Sequence, residues 1–93
     1  ALLRPLLGND PLAQRLDALC AEAANFDIPL VPLRGSGDHL LELFHGPTAA
    51  FKDLAARFLA ASLSALRAPG APVQTVLVAT SGDTGAAVGA AFH

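Results

Sequence analysis

Apolar residues recur along the chain at two different spacings. Leu12, Leu16, Leu19, Cys20 and Ala23 fall on one side of a 3.6-residue period, with Arg15, Asp17 and Glu22 elsewhere. Asp10-Pro11 precedes them as an N-cap followed by proline at the first helical position, where a missing N–H costs nothing. The pattern predicts a helix over residues 11–24. Residues 1–8 have no clear period. Residues 28–33 are apolar but hold Pro29 and Pro32, so they read as an extended crossing or a sheet edge. Gly35-Ser36-Gly37-Asp38 is a turn. Residues 39–44 are a short, mostly apolar run and read as a strand, which Gly46-Pro47 breaks.

A long helix rich in Ala and Leu is predicted over 49–66, with Thr48 as its cap. Phe51, Leu54, Phe58 and Leu59 lie on one side, and Phe44, Phe51, Phe58 and Leu59 form the expected core. Pro69-Gly70 ends the helix. Residues 75–80 form a continuous β-rich run, as a strand buried on both faces should. Ser81-Gly82 turns the chain, with Ser81 or Asp83 as cap, and 83–93 read as a further helix. Gly85 and Gly89 would let that helix approach a neighbour closely. Strand, helix, strand, helix is the order of βαβ units on a parallel sheet. The fold class is therefore α/β, and residues 1–93 read as a single incomplete domain.

Composition supports incompleteness. The chain is 53% hydrophobic over only 93 residues, and its mean hydropathy is +0.48. A small domain has much surface for its volume, so further protein is expected to cover some of these faces, or the chain to self-associate. Met is absent, which predicts a fragment or a processed chain. The formal net charge is −2 and the basic residues are scattered, which argues against nucleic-acid binding. No apolar stretch of about 20 residues is free of polar breaks, so no membrane span is expected. Nothing reads as a secretory leader. The single cysteine, Cys20, lies on an apolar helix face and reads as core. His39, His45 and His93 share no ligand spacing, so no metal site is expected. Arg57 and Arg67 read as helix-surface charges, with a phosphate contact as the alternative.

Two segments carry candidate chemistry. The first is Phe44-His45-Gly46-Pro47-Thr48-Ala49-Ala50-Phe51-Lys52-Asp53. Lys52 falls in the first turn of a predicted helix. A cation there opposes the helix dipole, and Phe51 and the alanines supply apolar surroundings. Both effects favour the neutral amine that Schiff-base chemistry needs. The alternative is a solvated lysine at a helix start. The second segment is Ala79-Thr80-Ser81-Gly82-Asp83-Thr84-Gly85-Ala86-Ala87. Here a strand gives way at once to a helix, putting hydroxyls and backbone N–H groups at a sheet edge where open α/β folds bind ligands. A helix N-terminus there suits a carboxylate. The alternative is an ordinary capped turn. The Gly-Lys-Ser/Thr ending of a nucleotide loop is missing.

Together, and in this order, the two segments resemble the threonine synthase family, of the tryptophan-synthase-β-like fold. The first resembles that family's pyridoxal-phosphate attachment segment and the second its substrate loop. Asp83 favours threonine synthases over dehydratases and cysteine synthases, which usually carry Asn there. The resemblance implies a three-layer parallel sheet, and a cytoplasmic enzyme converting O-phospho-L-homoserine and water into L-threonine and phosphate. It implies Lys52 as the residue that holds pyridoxal 5′-phosphate and shuttles protons at substrate Cα and Cβ. It implies Asp83 beside the cofactor's ring hydroxyl. Ser81, Gly82, Thr84 and Gly85 would receive the substrate carboxylate. Thr48, with His45, would shape the pocket floor, and Phe51 and Asp53 would orient Lys52. Ala49, Leu54 and Ala55 stand where relatives often differ. The family's later phosphate-binding loop, the group facing the pyridine nitrogen and most of the second domain have no counterpart here, and the family's usual N-terminal region also reads as cut off. An isolated chain is thus expected to be inactive. The alternatives are another lyase or dehydratase of the same fold acting on a hydroxyamino acid, or a non-catalytic remnant.

Overall fold

The computed structural model describes residues 2–93. A four-residue helix, α1 (Arg4–Leu7), opens the chain. A 3₁₀ turn (Pro11–Gln14) leads into α2 (Leu16–Ala23). Strands β1 (Leu30–Pro32) and β2 (His39–Leu41) follow, then α3 (Lys52–Leu66) and α4 (Asp83–Phe92).

Asp10 caps as expected: its Oδ1 accepts from the Leu12 N–H at 2.8 Å, with Pro11 next in line. The helix predicted over 11–24 is nevertheless two elements. Its first turn is 3₁₀, a common tightening at helix starts, and Arg15, at φ −102° and ψ −3°, both ends that turn and caps α2. Leu16, Leu19 and Ala23 are buried along α2, on the predicted face, while Cys20 is half-buried beside them.

The strands β1 and β2 pair antiparallel, Leu30 opposite Leu41 and Pro32 opposite His39. Pro29 and Pro32 confine β1 to an edge. Gly35 and Gly37 in the connecting turn have φ of 83° and 75°, values that suit glycine alone. The strand expected over 39–44 stops at Leu41, one hydrogen bond short of the Glu42 N–H to Pro29 carbonyl contact at 3.0 Å.

Residues 75–80 form no strand. They have no regular secondary structure, and Leu77 is 94% exposed. A strand exists only against a neighbour, and the two-stranded antiparallel sheet is the only sheet among the described residues. The βαβ arrangement is therefore not formed within this chain. What stands is a mixed α/β chain whose helices α2 and α4 both pack on α3.

The helix contacts use small residues. Ala56, Ala61 and Ser62 of α3 and Ala87 of α4 are buried, since short side chains let helix axes approach. The large residues expected in the core are largely outside it: Phe44, Phe51 and Leu59 are all more than half exposed, and Phe58 is half-buried. A Cβ added at Gly89 would meet nothing within 4 Å, so of the two α4 glycines only Gly85 makes a close approach, against the Thr80 side chain.

Arg15 and Arg57 tie α2 to α3. Arg57 donates to the Glu22 and Ala23 carbonyls at 2.8 and 3.0 Å and to Asn25 Oδ1 at 2.8 Å. Arg15 donates to the Ala65 carbonyl at 3.2 Å. Each arginine thus satisfies carbonyls left orphaned at the end of the opposite helix. Arg67 donates to the Ala71 and Pro72 carbonyls. Arg67 is exposed, as a helix-surface charge should be, and Arg57 is half-buried; both donate to main-chain carbonyls.

The molecule is open. Its radius of gyration is 15.9 Å, against about 12 Å for a compact domain of this length. Its accessible surface is 6877 Å², against about 5,000 Å² for a folded monomer of this mass. No helix of the described residues is long and apolar enough to cross a membrane.

Candidate active site

The turn before Lys52 is built from the chain outward. Pro47 fixes the second position of a turn closed by the Ala49 N–H to Gly46 carbonyl bond at 3.1 Å. Ala49 then adopts φ +56°, a left-handed conformation that costs a non-glycine residue about 1–2 kcal/mol. That reversal stops helical geometry, so α3 begins at Lys52 and not at residue 49. Thr48 does not cap α3 as predicted. Its N–H and hydroxyl instead donate to Asp53 Oδ2 and Oδ1, at 2.9 and 2.6 Å.

Asp53 is only 1% exposed. A buried carboxylate is costly unless hydrogen-bonded, and the two Thr48 bonds together with the adjacent helix N-terminus supply what it needs. Gly46 lies tight against it: a Cβ there would sit 2.5 Å from Asp53 Oδ2, 2.9 Å from its Cβ and 3.0 Å from Phe26 Cζ. Gly46→Ala is therefore expected to destabilise the chain by about 1–3 kcal/mol, the usual cost of overpacking. Thermal unfolding beside Gly89→Ala, which meets nothing, would check it. Equal melting temperatures for the two variants would contradict the packing described.

Lys52 is half-buried, and its Nζ stands 4.3 Å from the centroid of the Phe51 ring. It is the only lysine in the sequence. Upstream, His45 Nε2 and Glu42 Oε2 are 2.6 Å apart, and the His45 ring stacks on Phe44 at 4.7 Å. The Glu42–His45 pairing was not anticipated from the sequence, although their three-residue spacing was visible there. A lysine amine left partly open at the first residue of α3 is a primary amine of the kind that condenses with an aldehyde such as that of pyridoxal phosphate.

The second segment is differently presented. Ser81, Gly82, Asp83 and Thr84 are exposed and Gly85 is half-buried. The Gly82 N–H donates to Thr80 Oγ1 at 3.3 Å, and α4 starts with Gly82 at its cap position, not Ser81 or Asp83. A groove of about 480 Å³ lies where α3 and α4 end, lined by Glu22, Arg57, Arg67, Gln74 and His93 among others. None of Lys52, Thr48, Ser81, Asp83 and Thr84 lines it. Among the described residues no cluster of three or more His, Cys, Asp or Glu side chains could hold a metal.

No family model and no solved structure matches the chain. Curated proteins do. The threonine synthase of Haemophilus influenzae is 46% identical over 92 residues, covering 99% of this chain and 21% of that enzyme. The threonine synthase of Escherichia coli is 44% identical over 92 residues, with the same coverage of each. That of Serratia marcescens is 52% identical over 71 residues, covering 75% of this chain and 16% of the enzyme. Matches over 92 of 93 residues take in both the lysine turn and the loop at α4. By sequence, then, these 93 residues belong with the threonine synthases, as a segment about one fifth the length of the enzymes they match.

Proposed function

We propose that this chain is the part of a threonine synthase that carries the cofactor lysine, Lys52, and the substrate loop at Ser81–Gly85. The whole enzyme would convert O-phospho-L-homoserine and water into L-threonine and phosphate. The observation that carries the proposal is identity of 44–46% to threonine synthases over 92 of the 93 residues, a span that includes both segments.

Pyridoxal phosphate, when bound, supplies an electron sink for the substrate's Cα. Lys52 would hold it through the aldehyde carbon, then take and return protons at substrate Cα and Cβ. Asp83 would face the ring hydroxyl. The loop from Ser81 to Gly85, with the Ser81 and Thr84 hydroxyls, would receive the substrate carboxylate at the start of α4, where the helix dipole favours an anion. Thr48 has committed its N–H and O–H to Asp53, which leaves the lone pairs of its hydroxyl for substrate.

The finer architecture belongs to the same proposal. Residues 1–93 form the N-terminal part of the cofactor-binding region, of the tryptophan-synthase-β-like kind, in a cytoplasmic enzyme. The apolar run over 75–80, exposed here, would become a strand of a three-layer parallel sheet once the remaining four fifths of the enzyme is present. By itself the chain is catalytically inactive, and its uncovered apolar faces drive self-association.

The test is a graft. The chain replaces the matching residues of a full-length relative, and phosphate release from O-phospho-L-homoserine is measured. The expected result is phosphate release that disappears with Lys52→Ala. A folded hybrid that deaminates serine or threonine and leaves O-phospho-L-homoserine intact would assign the segment to a dehydratase instead.

A further inference from the structure

We infer that Asp53 is the positioning residue of the lysine turn: it sets the direction of Lys52 from inside the fold and does not itself meet the cofactor. The inference rests on the reading of Lys52 given above. Lys52 and Asp53 are the first two residues of α3, so their side chains leave the helix about 100° apart. One of the pair is 1% exposed and the other half open. Fixing Asp53 inward therefore fixes the rotation of the first helical turn, and with it the side from which Lys52 leaves.

What fixes Asp53 is a closed loop of six residues. Both carboxylate oxygens accept from one residue, Thr48, through its main chain and its hydroxyl. Gly46 lies against the carboxylate, with no room for a Cβ between Asp53 and Phe26. Among the described residues Asp53 makes no ion pair, so its burial is explained by this loop and not by a charge partner. Ala49, held at φ +56° between the two ends, keeps its backbone strain only because the loop around it is over-determined. The lock thus stores strain next to the reactive amine and spends its hydrogen bonds on geometry.

Substitutions separate this role from simple stability. Asp53→Asn retains an acceptor for the Thr48 N–H, and its amide can donate to the Thr48 hydroxyl once that rotates. Asp53→Leu keeps similar bulk and loses both bonds. Thr48→Val removes the hydroxyl bond alone and serves if Asp53→Leu fails to fold. Two readouts are taken on the full chain, with helix content followed by circular dichroism. The first is amide hydrogen exchange at Thr48, with no cofactor added. The second is labelling by pyridoxal phosphate and borohydride, expressed as adduct at Lys52 relative to adduct at the α-amine. Asp53→Asn is expected to keep both readouts near wild type. Asp53→Leu and Thr48→Val are expected to lower Thr48 protection and to lower the labelling ratio about two- to tenfold, the equivalent of one net hydrogen bond. An unchanged ratio in a helical Asp53→Leu chain would overturn the inference. So would a lowered ratio with Thr48 protection intact. If wild type gives no adduct at Lys52, the chain alone does not hold the cofactor, and Thr48 exchange decides the inference: unchanged protection in Asp53→Leu overturns it.

Discussion

Lys52→Ala is expected to remove almost all borohydride-stable pyridoxal phosphate from the chain at neutral pH. The sequence makes this a clean measurement, because Lys52 supplies the only ε-amine and the α-amine is the only competitor. Ordinary ionisation sets a demanding baseline. At pH 7 a solvated α-amine is neutral in about one molecule in seven, and a solvated lysine in about one in 2,500. A lysine with no special surroundings starts several-hundred-fold short of reactive amine, and label goes to the α-amine. Wild type labelled chiefly at Lys52 therefore requires a site that overcomes this handicap. Wild type labelled chiefly at the α-amine, and unchanged by Lys52→Ala, would reduce Lys52 to a surface lysine.

Leu16→Ala is expected to unfold the chain. Leu16 is 2% exposed, and emptying such a site costs about 2–5 kcal/mol. A compact domain of this length holds about 5–14 kcal/mol of net stability, and this one keeps far more surface in water than a compact domain does. Its reserve is correspondingly small. Urea unfolding followed by circular dichroism would read the change, with Leu77→Ala as the control, since Leu77 is 94% exposed and its loss should alter stability by no more than about 0.5 kcal/mol. Equal shifts for the two variants would mean that α2 contributes no core.

Much of this fold was legible in local pattern. The 3.6-residue period located α2 and its buried face, and Asp10-Pro11 marked the start of the turn before it. Pro29 and Pro32 marked an edge. Three things were not legible, each for a physical reason. The run over 75–80 has strand composition, but a strand needs a partner, and composition cannot say whether one is within reach. The start of α3 was misplaced because Ala49 is a good helix former by type, and its left-handed φ is imposed by the closed turn around it. The core of α3 was misjudged because size suggested Phe51 and Leu59, whereas close helix approach selects Ala56, Ala61 and Ser62.

The site was legible in a similar measure. Lys52 stood out through its motif and its place at a helix start. The inward role of Asp53 went against its chemistry, since aspartate is among the residues least often buried, and only the Thr48 bonds make it intelligible. Gly46 read as the end of a strand, and its closeness to Asp53 and Phe26 depends on residues seven and twenty positions away in sequence.

The paired arginine contacts between α2 and α3 bear on motion. Helix ends ordinarily fray first and independently. Here C-terminal carbonyls of α2 are held by Arg57 of α3, and one of α3 by Arg15 at the N-cap of α2. Fraying one end means releasing an arm of its neighbour, so α2 and α3 open as one cooperative unit. The hairpin of β1 and β2, exposed along both strands, opens on its own at lower cost. The lysine turn lies between these two regimes, joined to the helical unit at one end and to the loose hairpin at the other.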